Sequence, residues 1–337
     1  MERDGWGGSI TDLKCPVEPG LPRFAGLVLL IAMLVVPGWV LADGPPGVVY
    51  RDQFYDVAIR GEQVWVVGFP GQVLHSPDGG RTFEALGPGK DIALLALDMV
   101  DDLNGFVAGR QGKVWATSDG GKTWKALATG SEEPLLAIDF IDARTGYVVG
   151  NFGTALKTTD GGSTWKVLAP LDEGEDPKLN GVAFRDESTG WMVGEMGLVL
   201  RTTDGGNTFT RQESVVEGHF FGVTVLKDGG VLAVGSDGII ALSRDDGETF
   251  EVIQSGVERH LFQASEGGGR ILVAGASGTL LVARDPAGPY TKVSVPTHLW
   301  LGAAALGPSG IGFAVGSRAA LLITRDFGET WTRWGTP

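Results

Sequence analysis

The stretch TGYVVGNFGTALKTTDGGSTW, residues 145–165, alternates short apolar runs with glycine-bearing turns, the pattern of consecutive strands joined by tight hairpins. It returns as TGWMVGEMGLVLRTTDGGNTF at residues 189–209. The last eight positions recur along the chain. They read SPDGGRTF at 76–83, TSDGGKTW at 117–124, TTDGGSTW at 158–165, TTDGGNTF at 202–209, SRDDGETF at 243–250 and TRDFGETW at 324–331, with a degenerate ARDPAGPY at 283–290. The aspartates Asp78, Asp119, Asp160, Asp204, Asp245, Asp285 and Asp326 lie 41, 41, 44, 41, 40 and 41 residues apart. A fixed period of this length marks a repeat architecture.

Within the third period, strands are expected at Leu135–Ile141, Tyr147–Gly150, Thr154–Thr158 and Thr164–Leu168. Four strands per period make one blade of a β-propeller, so the sequence predicts an all-β chain: a single seven-bladed propeller of four-stranded antiparallel blades over residues 43–337. Each aspartate should sit in the hairpin between the third and fourth strands, its carboxylate accepting backbone N–H groups, the following glycine taking positive φ and the Ser/Thr hydroxyl closing the turn. The aromatic that follows supplies apolar area to a thin sheet. The sixth hairpin, with Ala287 and Pro289 in place of Gly and Thr, should be the least regular. Ring closure is open: the repeats fit without strand exchange, but Val48–Arg51 could add a strand beside Thr330–Trp334.

Composition agrees. Glycine contributes 54 of 337 residues, and the formal charge of −14 argues against a nucleic-acid partner, since phosphate-backbone binding needs a basic face. The one cysteine, Cys15, allows no internal disulfide or thiolate metal cluster. Residues 24–36, FAGLVLLIAMLVV, are short for a membrane span but suit the apolar core of an export signal. Residues 1–42 are therefore expected to be a signal peptide cleaved near Ala42, or an uncleaved membrane tether through residues 24–42. Either reading exports the propeller to a periplasm or lumen.

The motif S/T-x-D-x-G-x-T-W/F is the Asp-box, or BNR repeat, of sialidases and related propellers, with structural residues at Asp78, Asp119, Asp160, Asp204, Asp245 and Asp326. The longer pattern at 140–165 and 184–209 resembles more narrowly the photosystem II stability and assembly factor family. That resemblance covers about residues 50–337. It implies a lumenal or periplasmic seven-bladed propeller that assists assembly of a membrane complex without catalysis, binding an integral membrane protein through its extracytoplasmic loops.

Between the second and third strands the turns read VGFPG, AGRQG, VGNFG, VGEMG, VGSDG, AGASG and VGSRA. They vary where all else repeats, so they present a surface. A partner-binding face is expected from Arg51, Lys90, Arg110, Asn151, Phe152, Glu195, Asp237 and Arg318, with a basic sector at Arg51, Lys90, Arg110 and Arg318 for acidic loops of a client. The opposite sector, Glu132, Glu133, residues 172–176, Glu195, Glu213, Glu217 and Asp237, is acidic. His219, His260 and His298 are read as equivalent residues immediately before innermost strands, hence as channel-rim histidines. Their spacing favours packing over zinc, and no metal, cofactor or catalytic residue is expected. A monomer is expected. The alternative is a sialidase-like Asp-box glycoside hydrolase or a glycan-binding propeller, with Glu195 and Asp237 as an acid and base pair; only Tyr55 among the tyrosines would lie near the channel.

Overall fold

A computed structural model describes residues 44–89 and 91–336. The leader readings and Lys90 of the basic sector fall outside the described residues. Among those described, twenty-eight strands form seven four-stranded sheets, each antiparallel and each built from consecutive strands. This is the seven-bladed propeller that the repeat predicts. Blade 3 comprises Leu135–Phe140, Gly146–Gly150, Ala155–Thr158 and Lys166–Val167. Its outermost strand is shorter than the sequence implies, because the aspartate hairpin keeps the backbone through Thr164 for its own hydrogen bonds.

In six hairpins the same bonds recur. Thr158 Oγ1 donates to Asp160 Oδ1 at 2.9 Å and accepts Gly162 N–H at 2.8 Å, while Asp160 also accepts Thr164 N–H at 2.8 Å and Thr164 Oγ1–H at 2.7 Å. The set repeats at Asp78, Asp119, Asp204, Asp245 and Asp326. The sixth hairpin lacks it. Ala283 brings no hydroxyl and Pro289 no N–H, so within its own hairpin the Asp285 carboxylate accepts the N–H of Ala287 at 2.8 Å, with Arg244 of the preceding blade 3.6 Å away.

The core is divided into seven layers, one in each gap between adjacent blades. The aromatic after each hairpin enters the gap toward the preceding blade: Trp165 lies with Phe106 and Phe140, and Phe250 with Trp191 and Phe220. Rings also stack across gaps, Phe106 on Phe140 and Tyr147 on Phe184, each pair at 3.5 Å. Polar staples accompany the packing. Trp65 Nε1–H donates to the carbonyl of Gly120 at 2.9 Å, Tyr147 O–H to Gly205 at 3.1 Å and Trp191 Nε1–H to Asp246 at 3.1 Å, each on the next blade.

Among the described residues the ring closes without strand exchange. Blade 7 uses its own four strands, ending at Thr332–Arg333, and Val48–Arg51 adds no strand to it. Instead Val48 and Phe54 pack with Phe313 and Val315 in the seam layer. The Ala319 N–H donates to the Asp52 carbonyl at 2.8 Å and Trp334 Nε1–H to the Gly80 carbonyl at 2.6 Å.

Candidate functional site

Hairpins and first-to-second strand turns share one face: the Gly161 N–H donates to the Arg144 carbonyl and the Gly205 N–H to that of Ser188. The variable turns lie at the other ends of the strands, beside the mouth of the channel. Six of the seven place two successive residues at positive φ, as in Phe152–Gly153 (52° and 62°) and Met196–Gly197 (54° and 67°). A two-residue hairpin whose twist matches its strands demands this geometry. The first of the two residues is never glycine: Gln111, Phe152, Met196, Asp237, Ser277 and Arg318 hold left-handed backbone. These side chains are displayed at a conformational cost. Phe152 is 63% and Met196 72% exposed. The blade 1 turn differs, with a cis Phe69–Pro70 bond.

Of the predicted basic sector, Arg318 is fixed best. Its Nη1 donates to Tyr50 Oη at 2.7 Å and its guanidinium lies 5.3 Å from the Tyr50 ring centroid, so blade 7 and the chain leading into blade 1 meet there. Arg51 is exposed in that same lead-in, and Arg110 is exposed on the blade 2 turn. Burial raises the pKa of Tyr55 at the channel, and the positive charge of Arg110 opposes the shift. Asn151 is half-buried beside exposed Phe152. Glu195 is tied down, accepting the Lys178 N–H at 3.1 Å and lying 3.9 Å from its Nζ. Asp237 is exposed, 3.8 Å from His260 Nδ1.

The histidines depart from the sequence reading. His219 and His260 do stand immediately before the innermost strands Phe220–Val225 and Leu261–Gly267. In blade 7 that strand is Leu301–Leu306, so the equivalent residue is Trp300, and His298 lies two positions earlier. The carbonyls of His219, His260 and Trp300 accept equivalent N–H groups, from Ser236, Ala276 and Ser317. The shared His-Leu/Phe start of these segments hid a two-residue offset. His219 Nδ1 accepts the Met196 N–H at 3.1 Å and His260 Nδ1 that of Asp237 at 3.2 Å, so each clasps the variable turn of the preceding blade. No group of three metal-ligating side chains occurs among the described residues.

Each innermost strand carries a bulge at its start. The pairing slips at Tyr55, Leu95, Leu136, Asn180, Phe221, Phe262 and Gly302, and at all but Gly302 the bulge re-aims a side chain. All seven line a central cavity of about 420 Å³. On blades 5, 6, 7 and 1 the mouth is aromatic: Phe221 lies 5.9 Å from Phe262, and Trp300 stacks on Tyr55 at 5.7 Å.

Deeper in the cavity stand three aspartates that sequence reasoning passed over. Asp56 Oδ2 accepts the Leu97 N–H at 2.9 Å, Asp98 Oδ2 that of Phe140 at 2.6 Å and Asp139 Oδ2 that of Phe184 at 2.8 Å, so each links its blade to the next. Desolvation pushes Asp56 up to about 6 against hydrogen bonds from Leu97, Val57 and Gln263. It raises Asp98 and Asp139 too, and the charge of Asp98 raises Asp139 further. The available signal was a carboxylate inside an apolar strand, in LLALDM (94–99) and LLAIDF (135–140). A buried polar residue is the informative one.

The sequence profile of the family described as Photosynthesis system II assembly factor YCF48 matches residues 48–129 and 126–295. No curated protein sequence matches the chain. Among solved structures, YCF48 bound to a D1 peptide is similar at 17% identity and a TM-score of 0.66, over 82% of this chain and 92% of that one. YCF48 from Cyanidioschyzon merolae is similar at 15% identity and 0.65, over 82% and 96%. A GH74 xyloglucanase from Xanthomonas campestris reaches 0.68 at 13% identity, over 84% of this chain but 53% of the enzyme. At these identities the structural likenesses speak for the fold alone.

Proposed function

The chain belongs to the Photosynthesis system II assembly factor YCF48 family, and on that premise we propose that it is a non-catalytic assembly or stability factor for a membrane protein complex. The family match through residues 48–295 carries the reading. The reading also places the propeller outside the cytoplasmic membrane, in a periplasm or lumen, as a monomer exported by way of the apolar run at 24–36.

The client contact is assigned to the variable-turn face, where Arg318 and Arg51 at the seam and Arg110 on the blade 2 turn supply positive charge to a chain that is acidic overall. That polarity suits an acidic extracytoplasmic segment of an integral membrane protein, steered by charge. One similar YCF48 structure holds a D1 peptide, which supports a polypeptide as the ligand class. The xyloglucanase likeness concerns the fold and gives the glycosidase alternative no residues of its own.

Affinity purification of the tagged chain from gently solubilised native membranes tests the proposal. A stoichiometric integral membrane protein should co-purify, identified by mass spectrometry, and be lost from the Arg51→Glu/Arg110→Glu/Arg318→Glu variant. Recovery of the chain alone, or full partner retention by the variant, would overturn the reading.

A further inference from the structure

Docking at the rim leaves the chemistry of the channel unused. Its lining includes an arc of aromatic rings, Phe221, Phe262 and Tyr55, with Trp300 stacked behind Tyr55. Asp98 and Asp139 lie three residues beyond the bulged Leu95 and Leu136 of their own strands, which at about 3.4 Å per residue sets them roughly 10 Å deeper. Asp56 is saturated, taking the Leu97 N–H on Oδ2 and the Val57 N–H and Gln263 amide on Oδ1. Asp98 and Asp139 each use Oδ2 alone. Their other oxygens make no hydrogen bond to any described residue, on adjacent blades in one cavity of about 420 Å³.

We propose that this channel binds a primary ammonium group on a flexible aliphatic stem, which enters past the aromatic arc and ends between Asp98 and Asp139. Aromatic faces attract cations electrostatically, and an apolar stem suits the walls formed by Leu95, Leu136 and Ala137. Two free carboxylate oxygens fall far short of the six to eight oxygen ligands typical of calcium. The ionisable groups around the pair are Asp56, Tyr55 and Arg60 on blade 1, Tyr147 on blade 3, whose O–H donates to the Gly205 carbonyl, Glu266 on the innermost strand of blade 6, and His219 and His260 at the rim. Arg60 is engaged through Nε with the Met99 carbonyl, and Glu266 accepts the Lys227 N–H at 2.7 Å. Burial raises both carboxyls and the charge of Asp98 raises Asp139 further, while the Phe140 N–H and the positive charge of Arg60 oppose the shift at Asp98; a proton so retained on the pair should be displaced by an arriving ammonium ion. The proposal stands apart from the assembly-factor reading and can fail alone.

Titration calorimetry on the full chain at pH 7 decides it, with n-pentylammonium and the capped pentapeptide Gly-Gly-Lys-Gly-Gly as probes and 1-pentanol as the neutral control. Saturable binding of either ammonium probe and not of pentanol is expected, with an enthalpy that differs between phosphate and Tris because a proton is released. Binding of both probes assigns a partner's lysine; binding of pentylammonium alone assigns a free amine. Asp98→Asn/Asp139→Asn should weaken binding at least tenfold. So should Phe221→Ala/Phe262→Ala, which leaves the carboxylate staples in place. No saturable heat from either probe, equal binding of pentanol, or unchanged affinity in a folded variant would overturn the proposal.

Discussion

At the scale of single residues, carboxylates in two settings pull stability in opposite directions with pH. The N–H and hydroxyl of Thr123, with the hydroxyl of Thr117, hold Asp119 at about 2, and Asp204 and Asp245 are held there alike. A lowered value favours the fold above the unfolded carboxyl value of 3.8, and the benefit is lost as pH falls through about 2. Asp56 is the reverse case: raised to about 6 by burial, it binds more proton in the folded state, so stability falls as pH rises from 3.8 through about 6. Melting temperature should therefore peak on the acidic side of neutrality, near pH 4–5 on this linkage argument. Asp56→Asn should be less stable at the peak, having one acceptor fewer, but flatter between pH 4 and 6; melting curves parallel to those of the parent chain would refute the account.

Among elements, the blade-to-blade contact is the unit of stability, because a four-stranded sheet this thin has no core of its own. Gly247 tests that claim. It holds φ +77°, and a Cβ there would come within 2.0 Å of Trp191 Nε1 on the preceding blade, whose N–H donates to Asp246. Gly247→Ala should cost about 2–4 kcal/mol, from left-handed strain plus overpacking in a filled gap. Gly256 has a similar φ, +74°, but nothing within 4 Å of a built Cβ. Gly256→Ala should cost only the backbone term, about 1 kcal/mol. Urea denaturation of the two variants measures the difference, and equal losses would show that the gap is slack.

For the whole molecule, the seam between blades 7 and 1 joins the two ends of the described chain. Among the described residues it is closed by side-chain packing and by local backbone contacts, Ala319 to Asp52 and Gln53 to Ser317, rather than by a shared strand. Trp334 contributes most from the C-terminal side, reaching the Gly80 carbonyl and meeting Phe83 edge-on at 5.4 Å. Trp334→Ala should cost about 3 kcal/mol, and hydrogen exchange should rise first in blades 1 and 7, since local opening follows the weakest contact. Uniform exchange across all blades would mean that the ring opens as one unit. The same seam carries Arg318 and Arg51, so a loosened seam should also weaken the proposed client contact.

The repeat of Asp-Gly hairpins, read as sequence, determined the fold, the blade number and the place of every hairpin. Those features depend on contacts within eight residues, such as Thr158 with Asp160 and Asp160 with Thr164, and local hydrogen-bonding partners are written side by side in the chain. The variable turns were legible for the same reason, being two positions between glycines in six blades of the seven. What only the tertiary structure decided involves residues far apart in sequence. Closure without strand exchange rests on Trp334 with Gly80. The offset that puts Trp300, not His298, beside His219 and His260 rests on strand register. The channel rests on Asp98 and Asp139 lining one cavity with rings from blades 5, 6 and 1, brought together because seven wedge-shaped gaps close a circle and the bulge in every blade but the seventh, where Gly302 stands, turns a side chain toward its axis.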